Sequence, residues 1–172
     1  LTLVFLFGLG LVGALYYSLM VAPVVPKGEP VSVAIPTGAS YEQVLDTLAA
    51  QGITPNRRLF DPLAERMGWK RDRMRSGRFS LAPGLSAVGL IRKLRAGSRE
   101  AVKVILTVER EPANVAAKAA RFLEADSLAF VRLFQDEDYL KDIGFTNETL
   151  QTLFLPNTYE IYWDATPKEF VE

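Results

Sequence analysis

Apolar residues run without a single charge from Leu1 to Ala22, and Pro23 and Pro26 then break the run. At the helical rise of about 1.5 Å per residue this stretch would reach about 33 Å, enough to cross the hydrocarbon core of a bilayer. The pattern predicts a membrane-spanning helix over residues 1–22 and a linker over 23–30. Tyr16 and Tyr17 then stand where an aromatic belt forms, and Gly8, Gly10 and Gly13 allow a second helix to approach. A secretory signal core is shorter and ends in a small-residue cleavage site, which is not evident here. With no charged flank before Leu1, orientation cannot be read from the positive-inside rule, and the chain is expected to begin inside a longer natural sequence.

Beyond residue 30 the periodicity changes. Val31, Val33 and Ile35 alternate with Ser32 and Ala34, the period of a strand, and Pro36-Thr37-Gly38 follows as a turn. Ser40 with Gln43 three residues later predicts a capping box, and Val44, Leu45 and Leu48 give the apolar stripe of a helix ending at Gly52. Asn56 predicts the cap of a second helix, with Leu59, Phe60, Leu63, Ala64 and Met67 inward and Gly68 as its stop. Arg78 to Leu81 reads as a short strand, and Ser86 as the cap of a third helix running through Leu94 to Gly97. Arg73, Arg75 and Arg78 read as a solvated basic edge rather than a glycan or lipid site.

Ala101 to Val108 carries the clearest strand pattern, with Val102, Val104, Leu106 and Val108 on one face and Lys103 and Thr107 opposite. Pro112 then opens a helix at the position where a missing N–H costs nothing, with Val115, Ala116, Ala119, Ala120 and Leu123 inward and Lys118 outward. Leu128 to Phe134 continues as helix. Asp136-Glu137-Asp138 has neither the glycine nor the terminal glutamate of a calcium loop and reads as a solvated helix start. Pro167 to Glu172 reads as a helix cut off after one turn, so the C-terminal part of this domain is expected to lie beyond the sequence.

Composition narrows the chemistry. The 172 residues carry no net charge, which removes the electrostatic argument for nucleic acid. With neither His nor Cys, thiolate nucleophiles, disulfides and His-based triads are excluded and a zinc site is not expected. Catalysis has to use carboxylates, hydroxyls, Lys, Arg or Tyr.

One stretch concentrates candidate chemistry: Leu150-Gln-Thr-Leu-Phe-Leu-Pro-Asn-Thr-Tyr-Glu-Ile-Tyr-Trp163. Glu160 stands between Tyr159 and Ile161. If those neighbours wall it in, its charged form is disfavoured and it can serve as a proton donor near neutral pH. If the run is a strand leaving a Pro-Asn turn, Glu160 points to water instead. Glu148, three residues before Gln151, is the other carboxylate within reach of the motif. Burial is the expected fate of Tyr162 and Trp163, although aromatic rings can also stack on sugars.

Leu150 to Tyr159 resembles the motif Leu-Glu-Gly-Tyr-Leu-Phe-Pro-Asp-Thr-Tyr of the endolytic murein transglycosylases, the MltG (YceG-like) family. The family's catalytic Glu falls on Gln151, which cannot exchange a proton in that role, and its Gly falls on Thr152. The order of segments is similar too. Ile35-Pro-Thr-Gly-Ala-Ser-Tyr41, Ser76-Gly-Arg-Phe-Ser-Leu81 and Leu90 to Gly97 match a LysM-like subdomain, whose layout is strand, helix, helix, strand. The expected fold class is therefore α+β: an N-terminal transmembrane helix, a small LysM-like βααβ subdomain over 31–98 and, over 99–172, the truncated start of a mixed α/β catalytic-type domain.

The resemblance implies cleavage of peptidoglycan glycan strands between N-acetylmuramic acid and N-acetylglucosamine, leaving 1,6-anhydro ends. With Gln at the family's acid position, the candidate acid is Glu160, the nearest carboxylate to the motif, provided the turn at Pro156-Asn157 brings it into the same cleft, with Gln151, Asn157 and Tyr159 as substrate-binding groups. Glu109 and Arg110 either line the cleft or form a surface ion pair. Implied partners are the peptidoglycan strand, membrane lipid through the first helix, and cell-wall synthesis enzymes. The implied location is the bacterial inner membrane, with the folded part outside it. The alternative is a non-catalytic peptidoglycan-binding or scaffolding relative in which Gln151 marks a lost acid.

Overall fold

The computed structural model describes residues 2–172, with side chains from residue 6 onward. The chain divides into two compact units, Leu1–Arg99 and Glu100–Glu172.

The first unit opens with helix α1, Thr2–Tyr16, which widens into a π-helical turn over Tyr17–Val21. This corrects the expected transmembrane span over residues 1–22. Among the described residues no helix is long and apolar enough to cross a membrane. Fifteen α-helical residues reach only about 22 Å at the α-helical rise, short of a hydrocarbon core about 30 Å thick. From Tyr17 the hydrogen bonds lengthen their loop, with the Ala22 N–H on the Tyr17 carbonyl at 2.8 Å. Pro23 then pairs as a bridge with Ser86, and the N–H groups of Val24 and Val25 both donate to the Leu85 carbonyl. A hydropathy reading sees an uninterrupted apolar run, but not this change of backbone.

Strand β1, Val31–Ile35, pairs antiparallel with β2, Gly77–Leu81, in a register that sets Val33 opposite Phe79. Between them lie α2, Tyr41–Ala50, and α3, Arg57–Arg66; α4, Ala87–Ala96, follows β2. The local signals act as expected. Ser40 and Gln43 form a reciprocal capping box, Asn56 accepts from the Arg58 N–H, and Ser86 accepts from the Gly89 N–H. Each cap satisfies backbone donors that a helix end otherwise leaves orphaned. Val33, Ile35, Val44, Leu48, Phe60, Phe79, Leu90 and Ile91 close into one core. Trp69 meets Tyr41 and Phe60 edge-on, with ring centroids 5.6 and 5.9 Å away.

In the second unit β3, Ala101–Leu106, pairs antiparallel with β4, Asn157–Tyr162. The predicted strand stops two residues early: Val108 lies outside it and is 80% exposed. Helices α5, Pro112–Ala119, α6, Ser127–Phe134, α7, Glu137–Asp142, and α8, Pro167–Val171, complete the unit. The inner face of the ribbon, Val102, Val104, Leu106, Tyr159 and Ile161, packs into a core with Val115, Phe130, Phe134, Leu140 and Leu150. Four phenylalanines, 130, 134, 154 and 170, form a chain of ring contacts with centroids 5.3 to 6.2 Å apart. The Asp136 carboxylate accepts from the Tyr139 N–H and caps α7.

Candidate functional site

The motif folds as a 3-10 turn over Leu150–Leu153, a bend at Leu155-Pro156, and then β4. A loop held by Thr146 and Thr149 leads into the turn. The Thr146 N–H donates to Thr149 Oγ1 at 2.8 Å, the Thr149 N–H donates back to Thr146 Oγ1 at 3.3 Å, and the Leu150 N–H donates to the Thr146 carbonyl at 2.8 Å. Leu150, fully buried, anchors the turn in the core. Gln151 is thereby fixed next to the segment that leaves β3.

Gln151 Nε2 donates to the backbone carbonyl of Glu109, across 42 residues of sequence. Its Oε1 is buried and meets no hydrogen-bond partner. Such an orphan is uncommon, because an unsatisfied buried acceptor costs about 1–3 kcal/mol. Beside it, Thr107 Oγ1 donates to Glu109 Oε1 at 2.6 Å, and Lys118 from the last turn of α5 reaches both Thr107 and the Glu109 carboxylate. The Glu109 side chain is only 13% exposed. The hydrogen bond from Lys118, aided by that from Thr107, holds its carboxyl below the usual carboxylate range. Glu109 therefore pairs with Lys118, not with Arg110, and is kept ionised. Sequence reading placed Lys118 outward. No local signal joins it to Glu109, since the two meet only when α5 folds back on the end of β3.

Glu160 has no apolar enclosure. In β4 the side chains of Tyr159 and Ile161 face the core, so Thr158, Glu160 and Tyr162 face the other way. The Glu160 side chain is 68% exposed and stands opposite Lys103, with the ammonium 3.9 Å from its carboxylate. Of the two readings of this stretch the strand with Glu160 toward water is the one observed, and the walled-in acid is not: the period of a strand turns the neighbours of an inward Tyr159 outward. Asn157, which pairs with Leu106, and Glu160, which pairs with Lys103, are about 10 Å apart along the strand. Glu160 thus sits well along the ribbon from the end where Gln151 meets Glu109, and on its outer face.

The remaining candidates have structural partners. Asn157 Oδ1 accepts from the Thr158 N–H at 2.8 Å, and Tyr159 Oη donates to the Leu155 carbonyl at 2.8 Å, tying the bend to the strand. Tyr162 is 50% exposed, whereas Trp163 packs partly buried against the core. Glu148 lines a recess of about 420 Å³ with Glu137 and Asp138, and Tyr159 lines another of about 230 Å³ with Leu106 and Phe170. Neither Gln151 nor Glu160 lines either recess. Among the described residues no group of three or more acidic, His or Cys side chains is placed to hold a metal ion.

Comparison with curated proteins finds no significant match. Among solved structures the chain is similar to a protein of Listeria monocytogenes described as yceG-like, lmo1499, at 15% identity and a TM-score of 0.39. The similarity covers 83% of this chain and 52% of that one, so the chain spans about half the length of the Listeria protein. The model of the YceG-like family matches residues 33–172, which takes in all of both strand ribbons but the first two residues of β1, and the whole motif. On that match the chain belongs to the YceG-like family.

Proposed function

We propose that the protein acts on the glycan strand of peptidoglycan as a lytic transglycosylase. The observation that carries this reading is the family match through the motif at Leu150–Tyr162. Such a reaction uses one carboxyl group, in contrast to hydrolases with two. The acid protonates the glycosidic oxygen as the bond to the muramic acid C1 breaks. It then takes the proton from that sugar's 6-hydroxyl, whose oxygen closes on C1 to form the 1,6-anhydro ring. No water is consumed, and no metal or cofactor is needed.

Glu160 is the carboxylate within the motif that remains accessible to a strand laid over the outer face of β4. A bound strand would supply the water exclusion that the free protein lacks there. Glu109 is a poorer donor, because Lys118 and Thr107 keep it charged. Peptidoglycan lies outside the cytoplasmic membrane, so we place the working surface in that compartment, where cell-wall synthesis enzymes are the natural neighbours.

A second reading, strand binding without cleavage, is favoured by Gln151 at the family's acid position and by the solvent around Glu160. Incubating the full-length protein with purified sacculi separates the two. Anhydro-ended muropeptides that vanish with Glu160→Gln support the lytic assignment. Products that persist unchanged with that variant remove Glu160 from it. Sedimentation with sacculi without products establishes the binding reading, and in that case products gained with Gln151→Glu would identify the lost acid.

A further inference from the structure

The first unit carries a recess that the glycan reading does not use. Trp69, Met74 and Leu94, all buried, back it, and its accessible lining is mostly polar. Its rim consists of four arginines, Arg71, Arg73, Arg75 and Arg95, and no carboxylate lines it. The volume is about 350 Å³, within the range of small-ligand sites. The sequence reads as a basic edge of Arg73, Arg75 and Arg78; in the structure Arg78 does not line the recess, Arg71 does, and α4 brings Arg95 from a separate stretch.

Three of the four guanidinium groups are held in place by the ends of helices. Arg71 Nε donates to the Gly68 carbonyl at 3.0 Å, Arg95 Nη1 to the Met67 carbonyl at 2.7 Å, and Arg75 Nη1 to the Ala96 carbonyl at 3.4 Å. The contacts of Arg95 and Arg75 take up carbonyls where α3 and α4 end, and that of Arg71 holds the turn after α3. Each guanidinium has five N–H donors, so anchoring by one leaves others for a ligand. Arg75 also lies across Gly97, where a Cβ would fall 2.1 Å from its Nη1; a side chain at 97 would displace it. Among the described residues none of the four arginines makes an ion pair. Asp72, between Arg71 and Arg73 in sequence, is exposed and does not line the recess.

Four guanidinium forks around one small space, three of them preorganised, suit a tetrahedral oxyanion better than a neutral sugar. We propose that this recess binds the phosphoryl group of a phosphate ester, with its oxygens among Arg71, Arg73, Arg75 and Arg95. A glycosyl phosphate and a phospholipid headgroup share that chemistry. The site stands independently of whether the chain cleaves peptidoglycan.

The test uses the full chain with glucose 1-phosphate followed by calorimetry, and phosphatidylglycerol vesicles against phosphatidylcholine vesicles followed by co-sedimentation. Binding in the first arm assigns a glycosyl phosphate; binding in the second, to phosphatidylglycerol only, assigns a lipid headgroup. In either arm Arg73→Gln with Arg75→Gln is expected to weaken binding by roughly tenfold or more, since charge-assisted hydrogen bonds to a phosphoryl group are the stronger kind. Arg73→Gln alone, at an exposed side chain, serves as the second variant should the double variant fold poorly. No binding by the wild-type chain in either arm overturns the proposal. So does unchanged binding by the folded variants, or binding of plain glucose as tight as that of its phosphate.

Discussion

The two units bury comparable apolar clusters but treat buried polarity differently. In the first, the Tyr41 hydroxyl donates to Asp61 at 2.9 Å while its ring packs on Trp69. In the second, two buried polar atoms, Tyr139 Oη and Gln151 Oε1, have no partner. A buried orphan costs stability, so the second unit carries a polar penalty that is absent from the Tyr41–Asp61 contact of the first. Gln151 Oε1, one of these two atoms, lies within the motif stretch Leu150–Trp163.

Two tryptophans make the contrast measurable, because Trp69 reports on the first unit and Trp163 on the second. The largest effect is expected from the cores. Phe130→Ala, at a fully buried ring, should cost about 3–5 kcal/mol and move the denaturant midpoint reported by Trp163. Phe60→Ala should do the same for Trp69. If both probes shift together for either variant, the units do not unfold separately and the comparison fails.

The tyrosines give a smaller and sharper test. Tyr41→Phe breaks a satisfied hydrogen bond and should cost about 0.5–1.5 kcal/mol in chemical denaturation, whereas Tyr139→Phe removes an orphan hydroxyl and should be neutral or slightly stabilising. Equal losses would mean that the Tyr139 hydroxyl is satisfied in solution.

Acid should weaken the second unit through Glu109. Its folded-state pKa is lowered by Lys118, so the contact contributes fully above the unfolded carboxylate value of about 4.3. That stability is lost as pH falls from there through the lower folded-state value. Melting curves between neutral and acid pH should show this for Trp163, and Lys118→Met should flatten that dependence. The smallest effect belongs to the exposed Lys103–Glu160 pair: Lys103→Ala should change stability by less than about 1 kcal/mol, as read from the same midpoint. A larger loss would show that Glu160 is less open to water than its exposure indicates.

Local grammar was readable from the chain alone. Ser40 with Gln43, Asn56, Ser86 and Pro112 all mark helix starts where the structure has them, because a cap acts over two or three residues. The alternation of Val102, Val104 and Leu106 fixed the inward face of β3 for the same reason. The apolar run at the start was equally visible, but hydropathy records composition and not backbone. Where the α-helix gives way to a π turn at Tyr17 therefore lay outside it.

What only the folded chain decided involves partners far apart in sequence. The outward turn of Glu160 follows from which face of β4 meets the core. The Gln151 amide finds the Glu109 carbonyl only once the motif lies against the end of β3. Arg95 joins Arg71, Arg73 and Arg75 only because α4 packs beside the end of α3. Residue type and short-range spacing specify elements; the sites arise where elements meet, and long-range packing sets those distances.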